Sequence, residues 1–160
     1  ASAAGMRFAR ALAIDLGAAE QVIVSGLARG IDAAAHAAAL STGTIAVVAG
    51  GADVPYPPDH ADLMAQIAEA GLVVAEQPPG VEPQARHFPR RNRIIAGLSA
   101  GTIVVEGAAK SGSLITARLA AELGREVMAV PGSPLDPRAG GCNQLIREGA
   151  TLVRDAADVL

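Results

Sequence analysis

The segment Ser25 to Asp32 reads Ser-Gly-Leu-Ala-Arg-Gly-Ile-Asp, and its residue types are those that hold phosphate. It follows the apolar run Gln21-Val22-Ile23-Val24 and precedes an Ala-rich run, Ala33 to Leu40. A β-branched run, a glycine-bounded loop and a good helix former in succession read as strand, tight turn and helix. Such a turn points backbone N–H groups and the positive end of a helix dipole out of the edge of a sheet. Arg29 adds a permanent cation that can grip phosphate with two parallel bonds. Ser25, Gly26, Arg29 and Gly30 are thus the candidate contacts, and a plainer role fits as well: Gly26 and Gly30 permit the turn, and Asp32 places negative charge in a first helical turn. The loop by itself fits both.

Two more segments carry comparable chemistry. From Pro83 to Val105 there is no acidic residue, whereas Arg86, His87, Arg90, Arg91 and Arg93 all fall there. Asn92, inside that run, can bond a base or a sugar. Further on, Gly107-Ala108-Ala109-Lys110-Ser111-Gly112-Ser113 contains the only lysine of the chain and leads into a helical stretch. Ser111 or Ser113 can cap that helix, and Gly112 lets a ligand approach the backbone. The chain is mildly acidic overall, with a formal charge of −3. Grouping its cations nevertheless gives it a basic face.

These segments need a scaffold, and the hydrophobic pattern supplies one. Helical spacing from Ala3 to Leu16 puts Met6, Ala9, Leu12 or Ala13, and Leu16 on one face. Strands are expected near 21–24, 44–48, 72–76, 102–106, 126–130 and 151–153. Helices are expected near 30–40, 59–70, 90–98, 112–123 and 142–148. The strands are continuous apolar runs, such as Ile45-Ala46-Val47-Val48 and Thr102-Ile103-Val104-Val105. Strands apolar on both faces imply a parallel sheet covered by helices on each side, a doubly wound α/β domain. Ligands of such sheets bind at the carboxyl ends of the strands, where the glycine-rich loops fall.

Composition removes several classes. The chain has 160 residues, 51% of them apolar, enough for one domain with its own core. No apolar run approaches the ~20 residues that span a bilayer. The N-terminal residues lack the order of a secretory signal, and the expected compartment is the cytoplasm. A single cysteine, Cys142, rules out an internal disulfide and reads as a packed core residue. No metal-ligand spacing such as HExxH occurs, so no metal is expected. Neither GxGxxG nor a P-loop is present, so neither a dinucleotide nor ATP is indicated, and no cofactor is expected. Asp53 and Glu106, at strand ends, are read as tying down loops. His36 is read as structural, His60 as exposed, and His87 as a possible aid to a phosphate contact.

In order along the chain stand SGLARGIDAAAH, AGGADVPYPPDH, HFPRRNRIIAGLS, VVEGAAKSGSLITA and VPGSPLDPRAGGCNQLIREGATLV. Together these resemble the DNA-processing protein A family (DprA, also called Smf) over nearly all of Ser2 to Leu160. The resemblance implies an extended Rossmann-like core that binds single-stranded DNA. It also implies help in loading the recombinase RecA during natural transformation, and no enzymatic activity. It assigns backbone contacts to Arg29 and Lys110 and candidate phosphate contacts to Arg90, Arg91 and Arg93. It implies a homodimer built from the C-terminal region, where Leu145 and Ile146 are the candidate interface residues. The family's core opens with a strand and an arginine-bearing turn ahead of the segment matched by Ser2 to Gly5. That strand, and the domains that often flank the core, are expected to be missing here.

Two rivals use the same loops. Phosphoribohydrolases of the lysine-decarboxylase-like (LOG) type carry PGGxGTxxE, with a glutamate that helps cleave an N-glycosidic bond. Thr116 falls where that glutamate would be, and a hydroxyl cannot replace a carboxylate as acid or base at neutral pH. A nucleotide sensor is the other rival; it would gain nothing from a longer strand. Aromatic residues for base stacking are few, namely Phe8, Tyr56 and Phe88. Of these, Phe88 lies within the basic segment.

Overall fold

The computed structural model describes residues 1–160. Helix α1 (Ala3–Ala18) is capped by Ser2, whose side chain accepts the Gly5 N–H, and its buried face carries Ala9, Leu12, Ala13 and Leu16. Five strand–helix alternations follow: β1 (Ile23–Ser25), α2 (Ile31–Ala38), β2 (Thr44–Val48), α3 (Ala61–Ala70), β3 (Leu72–Ala75), α4 (His87–Leu98), β4 (Gly101–Val104), α5 (Gly112–Glu122), β5 (Glu126–Ala129) and α6 (Gly140–Arg147). A short β6 (Thr151–Leu152) and one turn of helix, α7 (Ala156–Val159), complete the chain. Single 3₁₀ turns at Pro58–His60 and Pro137–Ala139 lead into α3 and α6. No helix is long and apolar enough to cross a membrane.

All strand pairs are parallel, as the continuous apolar runs imply. The α/β class is as expected, but the strands form two sheets of three, ordered β1-β2-β3 and β4-β5-β6. Each sheet has its own small core. Leu27, Ala46, Val48, Met64 and Ile67 form one. Val104, Ala117, Ala129 and Cys142 form the other, with Leu145 and Ile146 both packed against it. Cys142 is fully buried, as its sequence context suggests.

Between the sheets lies a slot of about 1300 Å³ whose walls include Val22 to Ser25 on one side and Gly101 to Val105 on the other. In a parallel strand, alternate residues bond to the same neighbour. The Ile23 N–H reaches the Gly43 carbonyl, on the β2 side, so the backbone groups of Val24 turn toward the slot. The Val104 carbonyl takes the Val130 N–H beyond β5, so the groups of Ile103 turn toward the slot as well. Two parallel edges thus face each other with unpaired backbone.

A buried polar network stiffens β1 against β2 and α2. The Thr44 hydroxyl donates to the Ile23 carbonyl at 3.0 Å and therefore accepts the Nδ1–H of His36 at 2.7 Å. His36 is fully buried and its Nε2 has no partner. Burial lowers its pKa to about 4, against the opposing pull of the Asp32 carboxylate and the Ser25 carbonyl. Its role is thus structural, as expected, through a bond to a residue of β2.

Two measurements test this description. An apolar strand with a short glycine-containing turn, fused ahead of Ala1, would end at the carboxyl ends of β1 and β4 and lie parallel to both. It is expected to raise the melting temperature and the hydrogen-exchange protection of Val24 and Ile103. Unchanged protection at both amides would show that the slot takes no strand. For His36, the unfolded chain binds a proton below about pH 6.5 that the native state refuses until about pH 4. Its contribution is therefore complete above pH 6.5 and is lost as pH falls toward 4, by at most roughly 3 kcal/mol. Urea midpoints at pH 7 and pH 5 should differ less for His36→Gln than for the unmodified chain. Equal differences would remove His36 from the account.

Candidate functional site

The loop between β1 and α2 is fixed from four directions. Gly30, at a φ of 86°, is the N-cap of α2, a conformation that suits glycine. The Asp32 carboxylate turns back to accept the N–H groups of Gly26 at 3.1 Å and Ala28 at 3.2 Å. The His60 Nδ1–H donates to the Leu27 carbonyl at 2.9 Å, so His60 is a clip on this loop and not an exposed side chain. Leu27 itself has a φ of 60° and is fully buried. A left-handed leucine costs about 1–2 kcal/mol, and its seat in the core offsets that cost.

The fourth fixing is Arg91, and here the structure corrects the sequence. Arg91 is not a cation on the rim. It is 9% exposed, and its guanidinium donates to the carbonyls of Gly26 at 2.6 Å and Val47 at 2.9 Å. Its Nε–H goes to the Asn92 side-chain oxygen at 3.0 Å, which occupies that acceptor of Asn92 as well. Burial lowers the Arg91 pKa, and the Asp32 carboxylate works against that shift. Gly26 is required by this approach, because a Cβ there would lie 2.6 Å from a guanidinium nitrogen. The sequence does contain a signal for burial: Arg91 is three, four and seven residues from Ile94, Ile95 and Leu98, on one helical face.

The other cations are outside. Arg29 is exposed and lies 3.5 Å from the equally exposed Asp59. Arg93 is paired with Glu76. Arg90 and Lys110 are exposed and make no ion pair. His87 is buried, and its Nδ1 accepts the Gln84 N–H at 3.0 Å, so it braces the start of α4 and is not a phosphate contact.

Three helices of eight residues or more, α1, α2 and α5, begin at the carboxyl ends of β4 and β1. Two already hold an anion of the protein's own. Asp32 serves α2, and Glu106 accepts the Ser2 N–H at 2.9 Å and the Ser2 hydroxyl, at the head of α1. Burial acts to raise the Glu106 pKa, but the Ser2 bonds and nearby Arg138 hold it below the usual range. The start of α5 is open. Ser111 is its N-cap without a side-chain bond to the helix, and the amides of Gly112 and Ser113 make no hydrogen bond within the chain. The expected serine cap is therefore not made; the Ser111 and Ser113 hydroxyls bond to each other at 2.7 Å. A Cβ on Gly112 would meet nothing within 4 Å. Lys110 stands beside this open end.

The loops converge. Gly26, Arg29, Phe88, Asn92, Ser111, Gly112 and Ser113 share the mouth of the slot. Beside it a smaller cavity of about 260 Å³ is lined by Arg29, Tyr56, Phe88 and Arg91 among others. Tyr56 and Phe88 lie with ring centroids 5.7 Å apart, and the Arg91 guanidinium is 5.6 Å from the Phe88 ring. No signal in the sequence joins Tyr56 to Phe88. The loop that carries Tyr56 is fixed by Asp53, which accepts the Gly80 N–H at 2.8 Å. The arrangement offers fixed donors, mobile cations and ring faces at one edge. No group of three His, Cys, Asp or Glu side chains is placed to hold a metal ion.

Arg91→Ala would leave two buried carbonyls without a donor, a loss of about 2–4 kcal/mol in urea unfolding. Arg91→Lys should recover only part of it, since one ammonium cannot reproduce the planar fork. A neutral Arg91→Ala would contradict this assignment.

The whole chain, residues 1–160, matches the family described as DNA recombination-mediator protein A. It is 55% identical over 143 residues to the DNA processing protein DprA of Streptococcus pneumoniae, covering 88% of this chain and 51% of the relative. To the Bacillus subtilis DNA processing protein DprA it is 53% identical over 140 residues, 86% of this chain and 47% of the relative. The chain thus spans about half the length of these curated relatives. The crystal structure of DprA from Streptococcus pneumoniae superposes with a TM-score of 0.92 at 48% identity, over 99% of this chain and 56% of that one. The Helicobacter pylori DNA processing protein A, described in terms of its single-stranded DNA binding mode, gives a TM-score of 0.92 at 29% identity, over 99% of this chain and 73% of that one. The family match over the whole chain, the identities and the shared fold lead to one conclusion: the chain belongs to the DNA-processing protein A (DprA/Smf) family.

Proposed function

We propose that this domain binds single-stranded DNA along the strand-end edge, with a backbone phosphate at the start of α5. The observation that carries this reading is the open α5 N-terminus, with free amides at Gly112 and Ser113 and the unpaired Lys110 beside them. A helix start with free N–H groups and a neighbouring cation is a complete anion site. Exposed Arg29 and Arg90 extend positive charge along the rim, and Arg93 joins them when it leaves Glu76. The cavity by Tyr56 and Phe88 suits an unstacked base, which a duplex does not present. The single-stranded DNA binding named for the Helicobacter pylori relative supports the same reading.

Hydrolysis finds no support in the geometry. Thr116 is buried where a phosphoribohydrolase would place its glutamate, and the Glu106 carboxylate is engaged by Ser2. In the cell, the domain would protect incoming single strands and help load RecA on them during natural transformation. Those roles rest on family membership.

Gly112→Asp tests the phosphate site directly. The space is open, and a carboxylate in a first helical turn favours the helix, so stability should hold or rise slightly. Affinity for a single-stranded oligonucleotide should drop at least tenfold. Lys110→Ala and Arg90→Ala should each weaken binding and reduce the salt slope by about 0.7. Folded variants that bind like the unmodified chain would move the site elsewhere.

The same reading includes a homodimer through α6 and β6. Leu145 and Ile146 are both only partly buried against the core, and the neighbouring Leu152 is 41% exposed on an edge strand. Pairing there would join two basic rims, so a strand reaching both gains effective concentration. Light scattering at tens of micromolar (about the range of weak interfaces) should show a dimer, and Leu152→Arg a monomer with weakened binding to long strands only. A monomeric unmodified chain would overturn it.

A further inference from the structure

Leu135 is 92% exposed, more than any other large apolar side chain in the protein. The loop that presents it is not loose. Asn143 of α6 grips Gly132 from both sides, accepting its N–H at 3.1 Å and donating to its carbonyl at 3.0 Å. The Leu135 N–H bonds to the Ser133 hydroxyl at 3.2 Å, and the Asp136 N–H to the Ser133 carbonyl at 3.0 Å. Asp136 then caps the following 3₁₀ turn and pairs with Arg138 at 3.1 Å. Prolines at 134 and 137 flank the tip and remove further freedom. A solvated leucine held on so rigid a support has its ordering cost already met before any partner arrives.

The loop follows β5 and so stands at the same sheet edge as the open start of α5. Backbone bonds weld the two together: the Gly107 N–H donates to the Arg138 carbonyl at 2.9 Å, and the Gly141 N–H to the Gly107 carbonyl at 2.8 Å. Leu135 and the Lys110 loop therefore form one unit, with the half-exposed Arg138 guanidinium on it. The two aromatics, Tyr56 of the loop after β2 and Phe88 in the first turn of α4, line the smaller cavity beside the slot. A strand crossing from one half of the edge to the other meets rings on the first side and none on the second.

We propose that Leu135 is a base-contacting residue of the single-stranded DNA site, an apolar tip that packs on an unstacked base beyond the phosphate held at α5. This rests on the single-stranded DNA reading above and extends its footprint from the β1–α4 side to the β5 loop. The contact is apolar, so it adds affinity without releasing counterions and leaves the salt slope alone. That separates it from Lys110 and Arg90, whose contribution is the slope itself.

The chain contains no tryptophan, so Leu135→Trp installs a single fluorescent reporter at the tip. Saturating a Leu135→Trp variant with an oligothymidylate, followed by anisotropy of the labelled strand in parallel, should quench the tryptophan as it stacks on a base. Leu135→Ser should weaken the same oligonucleotide about five- to tenfold, with the salt slope and the affinity for thymidine monophosphate unchanged. Three results would overturn the proposal. The first is an unquenched tryptophan while anisotropy reports full binding. The second is unaltered affinity in Leu135→Ser. The third is a change of oligomeric state in Leu135→Ser, which would assign the tip to a second copy of the chain. Failure of the unmodified chain to bind the oligonucleotide would instead remove the parent reading, and this one with it.

Discussion

A guanidinium withdrawn from water beneath the β1–α2 loop holds the candidate site together. Arg91 comes from α4, the helix that connects the two sheets, and reaches backbone carbonyls after β1 and within β2. Taking a cation out of water costs several kcal/mol, and no carboxylate is bonded to it. What offsets that cost is local: charge-assisted bonds of roughly 1.5–3 kcal/mol each, the Asn92 oxygen and the face of Phe88. Because the bonds go to backbone, the price of moving Arg91 is a displaced loop. The loop's own geometry accommodates this contact together with the Asp32 and His60 bonds. Gly26 lacks a side chain so that the fork can approach, Leu27 adopts a left-handed backbone and fills the core, and Gly30 starts α2.

The same logic sorts the anions. A helix start attracts negative charge, and at this edge the protein places a carboxylate of its own beside two of three, Asp32 and Glu106. These internal carboxylates do more than complement dipoles. Asp32 closes the β1–α2 loop on itself, and Glu106 ties the head of α1 to the end of β4, bridging the slot at its mouth. At both places an internal carboxylate opposes an incoming phosphate, although the Ile31 and Asp32 amides, like those of Gly112 and Ser113, make no hydrogen bond within the chain. At α5 the two serine hydroxyls face each other, the amides are free and the adjacent side chain is a lysine. On the proposed reading, a phosphate prefers the α5 start because that start alone of the three was left without an acid.

Much of this was legible in the sequence. Continuous apolar runs such as Ile45 to Val48 require burial on both faces, and the parallel pairing follows. The convergence of the Gly26 and Gly112 loops at one slot is legible too, because glycines and cations cluster at strand ends. What stayed hidden has one common cause: a side chain's direction is decided by tertiary contacts that composition does not record. Arg91 and His87 sit in a run that reads as a basic surface, yet both point inward, with Arg90 and Arg93 outward on either side. Asp32 looks like a helix-start acid and also serves as the lock of the preceding loop. Left-handed Leu27 gives no sign at all, since glycine is the residue that usually announces such a backbone. The division into two sheets was equally invisible, because each strand's pattern is satisfied by any parallel neighbour.

That division bears on how the edge works. The β1–α2 loop belongs to one sheet and the Lys110 loop to the other, and between β1 and β4 there is no ladder of hydrogen bonds. What spans them is α4, anchored through Arg91, and the Ser2–Glu106 clasp at the strand ends. Packing of α4 against α5 couples the two halves as well, and the polar anchors at the mouth fix the rims from which the loops project. A strand of nucleic acid lying across the edge would touch both rims at once. Its binding energy would then act on the gap as well as on the loops, and stiffening the slot would be equivalent to preorganising the site. On the proposed reading, the polar anchors at the mouth contribute to binding through the rims they hold in place, whether or not they touch the nucleic acid themselves.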